Sequence, residues 1–308
     1  MQTILGANGT IGKLLAKELM SYTERVRLVS RNPIRVNETD ELHPADLSEH
    51  GAVDKAVQGS EVVYLVVGFE YKAQVWEEKW PVLMRDTIDA CAKYGAKLVF
   101  FDNVYMYDKN KISHMTEDTA INPPSRKGAV RKRISEMLLK ASEEKWVQAL
   151  IARSADFYGP DNDNNFITQM VMKNLKEGKK AMWFVNSDIK HSFTYTPDAA
   201  KATALLGNTP DAYGQVWHLP TESRRVTGRE IITMIASEMG AEPKISLLPK
   251  FMLLPLGLFI PIMKEMREMI YQYDRDYFFD SSKFTRRFGI KATPYEEGIK
   301  ATCKAYKE

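Results

Sequence analysis

The first nineteen residues place the tightest constraint on what this chain can become. "QTIL" is a short apolar run, "GANGTIG" follows it, and "KLLAKEL" continues with Ile11, Leu14, Leu15 and Leu19 at helical spacing. A strand, a glycine-rich turn and an amphipathic helix in that order open a βαβ unit. Further along, "VRLVS", "EVVYLVV", "KLVFF" and "VQALIA" alternate with longer amphipathic stretches. This alternation predicts an α/β fold, a Rossmann-type doubly wound parallel sheet with helices on both faces. Residues 1–155 form the expected dinucleotide-binding domain. Residues 156–308 form the expected smaller, mostly helical C-terminal substrate lobe, with strands returning to the main sheet. Gly95 ends the helix that follows Pro81, a helix is expected from near Ser48, and Thr196, Thr227 with Glu230 and Thr293 with Glu296 are candidate helix caps.

Composition narrows the function classes. With 44% hydrophobic and 27% charged residues the chain is of globular type, and a net charge of +3 argues against a dedicated nucleic-acid binder. Cys91 and Cys303 have no metal-ligand spacing, and the histidines at 43, 50, 114, 191 and 218 form no metal motif, so no metal is expected. No secretory signal is read in the opening residues, and a cytoplasmic setting is the expectation. The longest apolar run, "FMLLPLGLFIPIM", is too short to span a bilayer and lacks a clear basic face, so no membrane role is expected. A small-molecule substrate is the expected partner, and the oligomeric state is not legible.

The glycine turn is the candidate coenzyme site. Gly6 permits the tight turn, Gly9 lets phosphates approach the backbone, Gly12 allows close packing, and the helix N-terminus favours an anion. Asn8, Thr10 and Ile11 belong to the same loop. At the end of the second strand, where an acid would mark a free ribose 2′-hydroxyl, the chain has "LVSRNP". Ser30 and Arg31 suit a 2′-phosphate, so NADP(H) is favoured over NAD(H). Asp46, followed by Leu47, is a candidate adenine contact or a helix cap.

"ADLSE", "VFFDNVYMYD", "ARSADFYGP", "FTYTPDAA" and "TPYEEGI", with the glycine spacing, resemble the extended and atypical short-chain dehydrogenase/reductases, the NAD-dependent epimerase/dehydratase-like group. That resemblance implies a Ser or Thr and a Tyr-x-x-x-Lys pair assisting proton transfer at a substrate carbonyl. In "NPPSRKGAVRKR" Lys127 stands where the tyrosine is expected and Arg131 where the lysine is expected, while Asn103 falls at the Ser/Thr position. "KGAVRKRISE" also resembles the isoflavone-reductase-like branch, where a lysine replaces the tyrosine. Lys127 is thus the candidate acid/base, Arg131 a candidate ribose or phosphate contact, Asn103 a candidate donor to a substrate oxygen, and Tyr105 a candidate substitute phenol. Lys132 and Arg133 read as a solvated helix face. Tyr107, Phe157, Tyr158, Asn165 and His191 are candidate substrate-facing residues, with Arg153 near them; a surface or packing role is the better account of His191, and core packing accounts equally well for Tyr105 and Tyr107. The expected activity is an NADPH-dependent reduction of a small carbonyl, enone or similar electrophile. The alternatives are a non-catalytic NADP(H)-sensing regulator or a sugar-nucleotide epimerase/dehydratase.

Overall fold

The computed structural model describes residues 1–163 and 165–307. Its chain divides into two compact units. The first comprises Met1–Met106, Arg126–Arg153 and Ala199–Leu219, and the second Tyr107–Ser125, Ser154–Asp198 and Pro220–Glu308.

In the first unit, β1 (Gln2–Leu5), α1 (Thr10–Leu19), β2 (Val26–Ser30), β3 (Glu41–Pro44), α2 (Ala52–Val57), β4 (Val62–Leu65), α3 (Ala73–Tyr94), β5 (Lys97–Asp102), α4 (Arg126–Glu143) and β6 (Ala149–Arg153) follow the expected alternation. With β10 (Val216–His218) the strands make a seven-stranded parallel sheet, ordered β10-β6-β5-β4-β1-β2-β3. Strand order reverses between β1 and β4, the switch point at which open α/β sheets bind ligands.

Alternation along each strand divides the packing. Val63 and Leu65 join Leu5, Val29, Phe100 and Ile151 in a core with α2, α3 and α4. Tyr64 points the other way, onto α6 (Thr196–Gly207), where a Cβ on Gly207 would lie 2.3 Å from the Tyr64 hydroxyl. Because β1 is buried on both faces, its polar side chains need internal partners. Gln2 Nε2 donates to Asn208 Oδ1 at 2.6 Å, and the Thr3 and Ser60 hydroxyls share a bond of 2.6 Å. α3 keeps Pro81 in its interior and stops at Gly95, whose φ of 68° is a left-handed cap. The helix expected near Ser48 starts at Ala52 instead, after Gly51.

The second unit holds two short parallel pairs, β7 (Asp156–Tyr158) with β9 (Phe193–Tyr195) and β8 (Ala181–Phe184) with β11 (Ile245–Leu248). Its further helices are α5 (Lys173–Lys176), α7 (Gly228–Met239), α8 (Leu253–Phe259), α9 (Pro261–Met266), α10 (Ser282–Phe288) and α11 (Tyr295–Lys307). Trp183, Phe184, Phe166 and Tyr273 pack ring to ring at its centre. The Thr227–Glu230 capping box forms on α7. The Thr293–Glu296 box does not: Thr293 donates its N–H and hydroxyl to Asp198, and Tyr295 N–H donates to Glu222. Thr196 is itself the first residue of α6, and its buried Oγ1 has no hydrogen-bond partner, so it provides no cap.

One polar cluster lies inside the first unit. Asp102 ends β5 opposite Arg153 in the β5–β6 register, and both are buried with Arg131 of α4. Asp102 Oδ1 accepts from Arg131 Nη1 at 3.4 Å, and Oδ2 accepts from Arg153 Nε at 3.3 Å. Burial pushes the Asp102 carboxyl above its usual range, against the pull of both guanidiniums, and burial likewise lowers Arg131. Removing the carboxylate charge leaves two buried cations facing each other. Asp102→Asn is therefore expected to cost about 3–5 kcal/mol, the range for breaking a buried ion pair. The loss should appear as a lower urea midpoint at unchanged slope, and a change under about 1 kcal/mol would show that the cluster holds nothing together.

Candidate functional site

The glycines of the first turn differ in what surrounds them. Gly6 has φ of 95°, and a Cβ there would meet the Val67 backbone at 2.8 Å, so the turn lies against the chain leaving β4. On Gly12 a Cβ would strike Ala7 O at 2.6 Å, which fixes α1 against the turn. Gly9 has ordinary extended angles, and its Cβ would find only Gly6 O, at 3.6 Å. Space is therefore kept open at Gly9, at the N-terminal end of α1, whose first turn (including Thr10 and Ile11) carries no acidic side chain. Backbone N–H groups at such an end form a natural anion cradle.

Around this turn the loops are tied together by short polar contacts. Asn8 Nδ2 donates to Asn32 O at 2.6 Å and its Oδ1 accepts from Ile34 N–H, which fastens the loop after β2 to the turn. The Ser30 Oγ at the end of β2 is buried without a hydrogen-bond partner in the protein. Ser30 pairs in register with Pro44, and this brings the residues after β3 beside Arg31. Asp46 is held below the usual carboxylate range by hydrogen bonds from the Ser48 hydroxyl and N–H, with a smaller contribution from Arg31. Its carboxylate thus closes a local turn and caps no helix. Leu47 packs on the core.

The second half of the site gathers around α4. Lys127 and Arg131 are one helical turn apart and both are buried. The Lys127 ammonium lies 4.7 Å from the centre of the Tyr71 ring. The Arg131 guanidinium lies 4.1 Å from the Trp80 ring and 4.7 Å from that of Trp76, with Asp102 as its ion-pair partner. Tyr105 stacks on Trp76 at 6.1 Å, and the Tyr71 hydroxyl donates to the Tyr105 hydroxyl at 3.3 Å. Asn103 Oδ1 accepts from Tyr105 N–H, which orients the loop after β5. Tyr71 ends the same loop that Val67 begins against Gly6, so the glycine turn and the Lys127 cluster share one segment of chain.

Lys127, Asn103 and Tyr105, named from sequence, are thus brought together. Arg131 is next to them, but its charge is enclosed by rings and an acid. Tyr71, Trp76, Trp80 and Asp102 were not singled out from sequence. Their signal lay in "GFEYKAQVWEEKW", where aromatic residues recur after β4, and in "VFFD" and "LIAR", neighbouring strands that each end on a charge. Arg153, expected near substrate, is Asp102's second partner.

The remaining candidates belong to the second unit. Tyr107 is fully buried and pairs with Ile121 across a β-bridge. Tyr158 packs among Tyr195 and Tyr295, and burial drives its hydroxyl far above the usual phenol range. Asn165 uses its amide on Asn162 and Thr168 at the start of the helical turns 167–172, and half-buried Phe157 lies on β7. His191 is stacked on Tyr277 at 4.3 Å and on Tyr273 at 4.9 Å, with Nε2 bonded to Asp156 at 2.9 Å. Enclosed this way, the imidazole is buried among aromatic rings, and its Nδ1 has no hydrogen-bond partner in the protein. No group of three or more His, Cys, Asp or Glu side chains suited to a metal ion occurs among the described residues.

Comparison with known proteins places this geometry in a family. The model of the NAD dependent epimerase/dehydratase family matches residues 3–219. No curated protein sequence matches the chain. Among solved structures, the dTDP-glucose 4,6-dehydratase DesIV of Streptomyces venezuelae with NAD bound is similar at 16% identity and a TM-score of 0.82, covering 100% of this chain and 97% of its own. UDP-glucuronic acid 4-epimerase of Bacillus cereus with NAD gives 17% and 0.80, over 100% and 97%. The Thermus thermophilus UDP-glucose 4-epimerase with NAD gives 16% and 0.78, over 100% and 99%. At these identities the likeness is one of fold. The expectation of NADP(H) is overturned here: the family is described as NAD dependent and these neighbours hold NAD. The NADP(H) expectation rested on Ser30 and Arg31; in the structure the Arg31 charge is also near Asp46, whose carboxyl it helps to lower. The chain belongs to the NAD dependent epimerase/dehydratase family.

Proposed function

We propose that this protein binds NAD(H) at the glycine turn and exchanges hydride at an alcohol or carbonyl carbon of a small molecule, with nucleotide sugars as the first substrate class. The observation that carries the reading is the convergence of Lys127, Tyr71 and Tyr105 at the loop between β4 and α3, which lies against that turn. A phenol beside a lysine is the family's usual proton-transfer pair, and here both elements are present although position 127 holds the lysine. The open space at Gly9 and the unpartnered Ser30 Oγ fit a dinucleotide's phosphates and ribose. NAD supplies the hydride acceptor, and NADH the donor.

Tyr105 is half-buried and carries the proton. As hydride adds to the carbonyl carbon, the Tyr105 phenol gives its proton to the alkoxide that forms on the substrate oxygen, and the hydrogen-bonded Tyr71 hydroxyl shares the negative charge left on Tyr105. Lys127 is fully buried, so its cation stabilises this charge from behind Tyr71 without reaching the substrate. Asn103 keeps its amide nitrogen as a donor for the substrate oxygen, since its Oδ1 is engaged by Tyr105 N–H. That these neighbours are a dTDP-glucose dehydratase and a UDP-glucuronic acid epimerase supports the choice of substrate class. A second reading, an NAD(H)-binding regulator without turnover, is favoured by the lysine at the family's tyrosine position.

Four predictions test these roles. NADH should bind more tightly than NADPH in a fluorescence titration, and equal affinity would remove the NAD assignment. Gly9→Val should weaken NADH binding by at least about tenfold by filling the open space, while thermal stability changes by no more than about 1 kcal/mol, the scale of a cap effect. With dTDP- and UDP-sugars as the panel, Tyr105→Phe should lower kcat by about 10²–10⁴ at unchanged NADH affinity. Lys127→Met should lower kcat by a smaller factor and shift the pH profile of kcat. Undiminished turnover in Tyr105→Phe would move the proton carrier elsewhere, and NADH binding with no turnover on the panel would establish the regulator.

A further inference from the structure

The run from 251 to 263 contains no charged residue, yet much of it is solvent-facing. It folds as two short helices, α8 and α9, packed closely enough that a Cβ on Gly257 would lie 3.1 Å from the Lys264 backbone. Their inner side is accounted for: Leu253 is buried, and Leu256, Met263 and Met266 pack on the core of the second unit. Their outer side is equally apolar. Phe251 is 76% exposed, Leu254 61%, Leu258 81% and Phe259 83%. A surface helix ordinarily carries charge on that side, and a contiguous exposed apolar patch marks an interaction site.

Charge at the rim identifies the occupant. Lys250, Lys264 and Arg267 are exposed beside the patch, while Glu265 and Glu268 of the same stretch are only half-exposed. Among the described residues neither Lys264 nor Arg267 has an ion-pair partner, and Lys250 reaches Asp274 only at 3.7 Å. A second copy seated on this patch across a twofold axis would bring the same cationic rim against itself. An anionic bilayer satisfies both parts, taking the apolar side chains into its interface and the cations among its headgroups. Helices of seven and six residues lie along such an interface, and no helix among the described residues is long and apolar enough to cross a membrane.

We propose that the α8–α9 hairpin is a peripheral docking element for an anionic lipid surface. Read as sequence, the run lacks a basic face of its own; the structure puts the cations at its edge. Flotation of the full-length protein with phosphatidylcholine vesicles, with and without phosphatidylglycerol, tests this. Binding is expected to the anionic vesicles and to fall as salt is raised. The double variant Leu258→Asp with Phe259→Asp should abolish it at unchanged thermal stability, since both side chains are already exposed. Lys264→Glu with Arg267→Glu should lower the affinity for anionic vesicles by at least about tenfold and erase their advantage over neutral ones. No binding to either vesicle overturns the proposal, and a dimer in solution that the aspartate variant dissociates would then assign the patch to a second copy. Vesicle binding that survives both variants also overturns it, because the lipid would be held elsewhere.

Discussion

The carboxylate of Asp102 between Arg131 and Arg153 is the constraint on which the rest of the candidate site depends. It joins the ends of β5 and β6 and fixes the rotation of α4 about its axis. Arg131 cannot turn away from Asp102 without leaving a buried charge unopposed, at a cost of several kcal/mol. Lys127, one turn earlier on the same face, is carried to Tyr71 by that rotation. Trp76 and Trp80, themselves one turn apart on α3, close over the guanidinium and complete the lock. A planar, weakly hydrated guanidinium tolerates this enclosure where an ammonium would not, which is a physical reason for arginine at 131.

The second unit encloses a polar pair to a different end. His191 and Asp156 share a hydrogen bond, as the members of an acid–base dyad do, but Tyr273 and Tyr277 cover the imidazole on its faces and Tyr273 also donates to Asp156. A group sealed by rings orders a core; a group at a loop such as Tyr105 remains available. Exposure, more than residue type, separates these two clusters, and it is the quantity that a linear pattern does not carry.

What could be read from the sequence was what local chemistry decides. The glycine turn was legible because its steric demands at Gly6 and Gly12 arise within a few residues and one neighbouring strand. The Thr227–Glu230 box was legible for the same reason, whereas the Thr293 box gave way to Asp198, a carboxylate 95 residues away that binds the same N–H first. Lys127, Asn103 and Tyr105 were grouped by motif position. Tyr71 and the Asp102–Arg153 pairing were missed because they need the sheet register, which sets residue 102 opposite 153. The coenzyme expectation was drawn from Ser30 and Arg31 with Asp46 read separately, while the β2–β3 pairing of Ser30 with Pro44 brings Asp46 near Arg31.

On the proposed reading, lysine at 127 and arginine at 131, which the sequence resemblance sets where a tyrosine and a lysine are expected, are two buried residues of one helix. With Arg131 paired to Asp102 and covered by two indoles, position 131 no longer offers a mobile ammonium. The Lys127 ammonium lies over the Tyr71 ring, and the Tyr71 and Tyr105 hydroxyls are bonded to each other. Restoring tyrosine at 127 alone would place a third phenol in a fully buried position and take away the cation beside Tyr71. Asp102 is tied to Arg131 and Arg153, so a change at 131 also alters the charge balance of that buried carboxylate and its two cations.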